Sequence, residues 1–162
     1  MLVAAELAGF FAAHAVWLLW EEQEFLPMLA YSLPDQKHGM EQLIHADPLE
    51  AVKLAKTKLN ENENAASHAT VVFAGKVQQG PDKLDAILTE LRTYAAPKAV
   101  AAIAVPFTRN ASGKLAVHIP LLVSWIDCEG FTKAEVMQAF FKGVNGHEQG
   151  STIWNECYDE SR

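Results

Sequence analysis

The sequence predicts an α+β protein: an antiparallel sheet of about five or six strands, a buried N-terminal helix packed on one face, and two further helices. Three observations support this fold class. A nearly continuous apolar segment opens the chain, several runs rich in β-branched residues follow, and two segments begin with helix-capping residues. No repeat or linker divides the sequence, so we expect a single domain spanning 1–162. The acidic tail, 147–162, is expected to extend over the surface, anchored by Trp154.

The opening segment, residues 2–20, is apolar except for Glu6 and His14. Its large side chains recur at the spacing of one helical stripe: Leu7, Phe10, Phe11, Trp17 and Leu18. Small residues dominate the opposite side and permit close approach by another backbone: Ala5, Ala8, Ala12 and Ala15, with Leu19. A helix that is apolar nearly all round lies in a protein core or in lipid. We place this helix in the core.

The flanks of this segment do not suit a membrane anchor or a secretory signal. An acidic run at 21–24 stands where a membrane helix would carry basic anchoring residues. No Lys or Arg precedes Lys37, whereas a signal peptide begins with a basic region. The two cysteines, Cys128 and Cys157, form no CxxC pair, which favours a reducing compartment. We therefore expect an unprocessed N-terminus and a cytoplasmic location.

The charge balance narrows the classes of partner. With 20 acidic and 13 basic residues, the formal net charge is -7. Nucleic-acid phosphates and anionic membrane surfaces are bound through Lys and Arg, so we expect neither partner. A homodimer is the expected assembly, because symmetric dimers are the commonest oligomers and the prolines Pro27 and Pro120 mark sheet edges.

Six segments have the composition of strands. A hairpin is predicted from the runs 25–31 and 40–44, which flank a turn-forming stretch at 34–39. The other strands are 70–77, 84–94, 99–105 and 115–125. Residues 84–94 fit both a helical stripe and an antiparallel meander, and we favour the strand while leaving the helix open. Pro120 inside the last run implies a bulge or an edge.

The two later helices begin at capping signatures. Asp47, Pro48 and Glu50 form a capping box with proline at the first helical position. The expected buried stripe of that helix is Leu49, Val52, Ala55 and Leu59. Thr132 and Glu135 form the second capping box. The helix that follows is expected to bury Val136, Met137, Phe140 and Phe141.

No motif with a known chemistry occurs in the chain. The sequence lacks HExxH, zinc-finger spacings, GxGxxG, a P-loop and GxSxG, so we predict no cofactor and no metal. Three residues are candidates for acid–base catalysis: His14 on the apolar helix, His118 on the last strand, and Asp127 just after it. For each, a structural role is the better interpretation. Cys128 lies beside Asp127 and Glu129, whose negative charges disfavour a thiolate nucleophile.

Two classes of function remain from the sequence. We prefer a non-catalytic domain that binds a small molecule or another protein, because folding signals are strong and no reactive constellation is visible. The alternative is a small hydrolase or isomerase-like enzyme. Its pocket would lie between the N-terminal helix and the sheet, and His14, His118 and Asp127 would have to converge there.

Overall fold

The computed structural model describes residues 1–161 and has an α+β fold, in which one antiparallel sheet of seven strands packs with four helices. The helices are α1 (Leu2–Trp20), α2 (Pro48–Glu61), α3 (Lys133–Gly146) and α4 (Glu148–Cys157). The strands are β1 (Met28–Ser32), β2 (His38–Gln42), β3 (His68–Gln79), β4 (Asp82–Thr93), β5 (Val100–Arg109), β6 (Leu115–Val117) and β7 (Leu121–Ile126). The described chain therefore has three helices besides α1, one more than expected.

The strand order is β2-β1-β3-β4-β5, and the last position of the sheet is shared by two short strands. β6 pairs with residues 107–109 of β5, and β7 pairs with residues 100–104. Pro120 lies between them and has no N–H to donate to the ladder. The expected interruption at this proline is confirmed, and it takes the form of a divided edge strand.

α1 is the central element of the molecule, because it lies between the sheet and the last two helices. One of its sides packs on β1, β3 and β4, and the other on α3 and α4. The strands contribute these side chains to the core beneath it: Met28, Val72, Ile87, Ile103 and Val105. The opposite face of the sheet has a smaller core, where α2 packs on β1 and β3. That core includes Leu29, Leu59, Val71 and Phe73.

Glycines allow α1 to approach its partner helices at backbone contact. A Cβ at Gly9 would collide with the Phe140 carbonyl of α3, and one at Gly143 would collide with the Glu6 carbonyl of α1. Gly150 of α4 lies in the same way against the Ala13 carbonyl. The four alanines of the small-residue side, Ala5, Ala8, Ala12 and Ala15, are fully buried as well, as the sequence suggested.

The length and hydropathy of α1 would suit a membrane span. By these criteria alone the helix could cross a bilayer, and half of its most apolar window is buried inside the protein. A helix in the core of a folded domain passes the same test. The packing on both of its sides places α1 in the core of this fold.

The segment 84–94 is strand β4, so the strand that we favoured there is confirmed. Ile87 and Leu91 face α1, and Leu88 faces the α2 side. These apolar residues therefore lie on both faces of a sheet that is buried on each side, which is why their spacing resembled a helical stripe. A short turn joins β3 to β4 in a long hairpin, whose register runs from His68 opposite Thr93 to Gln79 opposite Asp82.

The capping residue of α2 is confirmed, but the capping box is wrong. The Asp47 side chain accepts a hydrogen bond from the Leu49 N–H at 3.0 Å. Glu50 instead binds Lys53 at 3.2 Å, and the Asp47 N–H is donated to His45 Nδ1. Leu49 is 72% exposed, so its predicted burial is also wrong.

In α3, Thr132 caps the helix by accepting from the Glu135 N–H at 3.2 Å, as predicted. Val136 and Phe140 are buried, whereas Phe141 is exposed at the surface. The predicted extended tail is wrong, because residues 148–157 form α4. Two features of this helix were not predicted from the sequence: His147 caps it, and Gly150 packs on α1.

Candidate functional site

A cleft of about 780 Å³ opens between α1, α3 and the β1–β2 hairpin. α1 packs on β1, and the β1–β2 hairpin forms the wall of the cleft that faces α1 and α3. The apolar lining is Val3, Leu7, Phe10, Phe11, Leu33, Pro34 and Met40. The polar lining is Glu6, Ser32, Gln36, His38, Ser67, His68 and Lys142. A volume of this size, lined by apolar side chains together with polar groups that can orient a ligand, is typical of small-molecule sites.

The floor of the cleft carries a row of polar side chains from three adjacent strands. Ser32 of β1 lies directly opposite His38 of β2 and directly opposite His68 of β3. Residues in direct register share a face of the sheet and have Cβ atoms about 5 Å apart. The hairpin register therefore places one hydroxyl between two imidazoles. Ser32 is 4% exposed, so its hydroxyl lies at the bottom of the cleft, whereas His38 is exposed at the edge of the sheet.

His68 is the most unusual member of this row. Its Nδ1 is buried and has no hydrogen-bond partner among the described residues. Burial lowers the pKa of His68, and the positive N-terminal ammonium lowers it further. The imidazole is therefore neutral at pH 7. A buried polar atom without a partner costs about 1–3 kcal/mol, which marks a position that a ligand can relieve.

The charged groups of the cleft lie at its mouth. Lys142 Nζ is 3.6 Å from Glu6 Oε2, and the two side chains are 75% and 46% exposed. An ion pair this exposed contributes little to stability. The two opposite charges offset each other at the mouth of the cleft.

The structure places His14 in a different site, next to His147. His14 Nδ1 is 3.1 Å from His147 Nε2. His147 Nδ1 accepts the Gly150 N–H at 2.8 Å and thereby caps α4. His147 Nε2 must then carry the proton and donate it to His14 Nδ1. The rings of Phe10 and Trp17 pack against His147, so the pair is a partly buried structural junction between α1 and α4.

His118 is also tied into the fold. It is 1% exposed, and its Nδ1 lies 3.2 Å from the Asp159 carbonyl oxygen, to which it donates. Its Nε2 therefore accepts from the Thr108 hydroxyl at 2.8 Å. Both nitrogens are occupied, and the ring joins the β6–β7 connection to the end of the chain. This arrangement leaves no free nitrogen to act as a base.

Asp127 lies in a turn after β7, where it adopts a positive φ of 50°. Asp tolerates this conformation, so a turn role accounts for the residue. The adjacent Cys128 is buried, and its thiol donates to the Val100 and Ile126 carbonyls. His14 and His118 are therefore held by separate sets of partners, and Asp127 lies in a turn apart from both.

None of these three candidates lines the cleft, and the residues that do were not singled out from the sequence. His38 and His68 are 30 positions apart and carry no motif spacing. They meet only because both strands pair in register with Ser32. The available signal was weak: His38 lies within the predicted hairpin turn, and His68 precedes the strongest predicted strand.

The cleft does not have the geometry of a nucleophile–base pair. Ser32 and His68 are neighbours, but a catalytic base is normally oriented by a third group bound to its other nitrogen. His68 Nδ1 has no such partner among the described residues. In residues 1–161 no group of three His, Cys, Asp or Glu side chains is arranged to hold a metal ion. The arrangement is suited to binding and orienting a ligand.

Comparison with known proteins finds no family model, no curated protein and no solved structure that matches this chain.

Proposed function

We propose that this protein is a non-catalytic binding protein whose ligand occupies the cleft between α1, α3 and the β1–β2 hairpin. The observation that carries the proposal is the combination of a cleft of about 780 Å³ that has apolar walls with a polar floor that includes the buried Ser32 hydroxyl. Apolar walls supply affinity, and a few fixed polar groups orient the ligand. The ligand is therefore a largely apolar molecule or segment with at least one hydrogen-bonding group.

An enzyme is the weaker alternative. A hydrolase would have to use Ser32 with His68, because His14 and His118 bind other parts of the chain. The free Nδ1 of His68 argues against a fixed, activated base there.

The binding proposal is tested with 8-anilinonaphthalene-1-sulfonate, a fluorescent probe for apolar sites. We expect saturable binding with one probe per chain. Val3→Trp should weaken it at least about tenfold, equivalent to ~1.4 kcal/mol, because Val3 lines the cleft and a Trp there would fill it. Fluorescence titration measures the effect.

Leu2→Trp is the matched control. Leu2 is the preceding residue of α1, has a similar exposure of 42% against 37%, and does not line the cleft. It should bind the probe as the unmodified protein does. The absence of saturable binding, or equal losses in the two variants, would show that the cleft is not the site.

We further propose that the protein acts in the cytoplasm as a homodimer. The buried, unpaired thiols of Cys128 and Cys157 are compatible with a reducing compartment. The uncharged edge strand β7 supports the dimer. The net charge of -7 supports a function without nucleic-acid or anionic membrane partners.

A further inference from the structure

The cleft lies beside a free edge of the sheet. β2 is the first strand of the sheet, and among residues 1–161 it pairs only with β1. A free edge presents unpaired backbone N–H and C=O groups, which can pair with another extended chain. The cleft and the edge are therefore parts of one continuous surface.

The hydrogen-bond register shows which residues of β2 direct their backbone outward. Leu33 N–H donates to the Lys37 carbonyl, and Leu43 N–H donates to the Pro27 carbonyl, each at 2.8 Å. In an antiparallel pair, such hydrogen-bonded positions alternate with positions that face away from the partner. Residues 37, 39, 41 and 43 therefore face β1. The N–H and C=O groups that face outward belong to His38, Met40 and Gln42.

The same residues face the cleft with their side chains. His38 lies opposite Ser32, and Met40 lies opposite Ala30, on the α1 side of the sheet. Both His38 and Met40 line the cleft. A strand added along β2 would place every second side chain on this side, beside Met40 and under α3.

We propose that the ligand of the cleft is an extended peptide segment, which pairs with the outer edge of β2 and places alternate apolar side chains against the cleft. This inference rests on the proposed binding function and specifies its ligand class. Addition of a strand to a sheet edge is a common mode of peptide recognition, in which main-chain hydrogen bonds give affinity and side-chain pockets give specificity.

The chemistry of the cleft sets the composition of that peptide. The walls that face it are apolar, including Leu7, Phe10 and Met40. The Lys142–Glu6 ion pair at the mouth of the cleft is internally balanced, so neither partner offers an unpaired charge to a charged peptide. Glu41 binds Lys58 at 2.7 Å on the opposite face and does not obstruct the edge. The best fit is an uncharged peptide with an apolar side chain at every second residue.

The probe for the test is a pool of acetylated and amidated heptapeptides in which Thr alternates with Val, Leu, Ile or Phe. Binding to the full-length protein is measured by calorimetry and by the backbone amide NMR shifts of His38, Met40 and Gln42. We expect binding with the largest shifts at these three amides. Peptides that are N-methylated at alternate positions then test the pairing directly, because only every second peptide N–H faces β2.

We expect one N-methylated set to lose affinity at least about tenfold while the other set retains it. Met40→Pro should also lose more affinity than Met40→Leu, since proline removes an outward N–H without breaking the β1–β2 ladder. No binding of the pool, or equal effects of the two methylated sets, would overturn the peptide inference. If the peptides fail but the naphthalene sulfonate probe still binds the unmodified protein, and binds the Val3→Trp variant more weakly, the proposed binding function stands although the peptide inference fails.

Discussion

His14 and His147 are held in single tautomers by the hydrogen bonds around them. His147 Nδ1 must be free of a proton to accept the Gly150 N–H, and His14 Nδ1 must be free of one to accept from His147. A proton added to either ring at these positions would break the cap or place two N–H groups face to face. Burial lowers the pKa of both residues, and the neighbouring His14 lowers that of His147 further.

This pair should make the protein less stable in mild acid. A histidine whose pKa is lower in the folded state than the usual 6.5 takes up a proton on unfolding. The contribution of such a histidine to the free energy of unfolding is complete above about pH 6.5 and is lost as the pH falls through the folded-state pKa. We expect the Tm to fall between pH 7.5 and pH 5, with at most ~1.4 kcal/mol per pH unit from each residue, and less from the partly exposed His14. Thermal unfolding across this range measures the loss.

The control is the double variant His14→Phe and His147→Asn. Asn retains a side chain that caps a helix, and Phe retains the aromatic packing of α1. The double variant should show a smaller fall in Tm over the same range, with the remaining fall due to His68 and other groups. An unchanged pH dependence would mean that the pair does not couple protonation to folding.

At the scale of the elements, the crossing of α1 and α3 depends on glycine. Gly143 lies against the backbone of α1, so the Cβ of an alanine there would collide with the Glu6 carbonyl. We expect Gly143→Ala to destabilise the protein by about 1–3 kcal/mol, because overpacking at a backbone contact outweighs the better helix propensity of alanine. Chemical denaturation measures the change in the free energy of unfolding.

Gly146→Ala is the matched control in the same helix. The nearest atom to a Cβ at Gly146 is Phe10 Cδ2, at an ordinary contact distance of 3.8 Å. This variant should be neutral or slightly stabilising, since alanine favours the helix. If both variants have the same stability, the close approach of the two helices does not limit the packing.

The sequence predicted most elements because each has a local cause. Asp47 and Thr132 cap their helices as expected, and Pro120 divides the last strand. Helix α4 was missed because its stability comes from contacts with α1, which include Gly150 against Ala13. Local sequence carries no record of such tertiary contacts.

The candidate site was less predictable for a related reason. The row of His38, Ser32 and His68 depends on the pairing register of three strands. A shift of one residue in either pairing would move a histidine to the other face of the sheet. His14 and His118, which looked like candidates in the sequence, are occupied by tertiary hydrogen bonds, that of His14 to His147 and those of His118 to Thr108 and Asp159.

At the scale of the whole molecule, the two edges of the sheet differ. β2 is flanked by the cleft and carries Glu41, whereas β7 contains no charged residue. In β7, Val123 and Ile126 are 47% and 53% exposed. Within residues 1–161, β7 pairs only with β5. Natural edge strands usually carry charges that prevent pairing with other chains, and β7 has none.

β7 is therefore the surface expected to form the homodimer, by antiparallel pairing with β7 of a second copy. A twofold axis at Val123 would place Val123 opposite Val123 and Leu121 opposite Trp125 of the other copy, which are favourable apolar cross-strand pairs. Val123→Lys should dissociate the dimer, because two lysines would meet at the axis.

Val123→Thr is the control, since it keeps a β-branched, uncharged side chain. Sedimentation should give twice the chain mass of 17.8 kDa for the unmodified protein and Val123→Thr, and the single mass for Val123→Lys. A monomeric unmodified protein, or a dimer that survives the lysine, would exclude β7 as the interface.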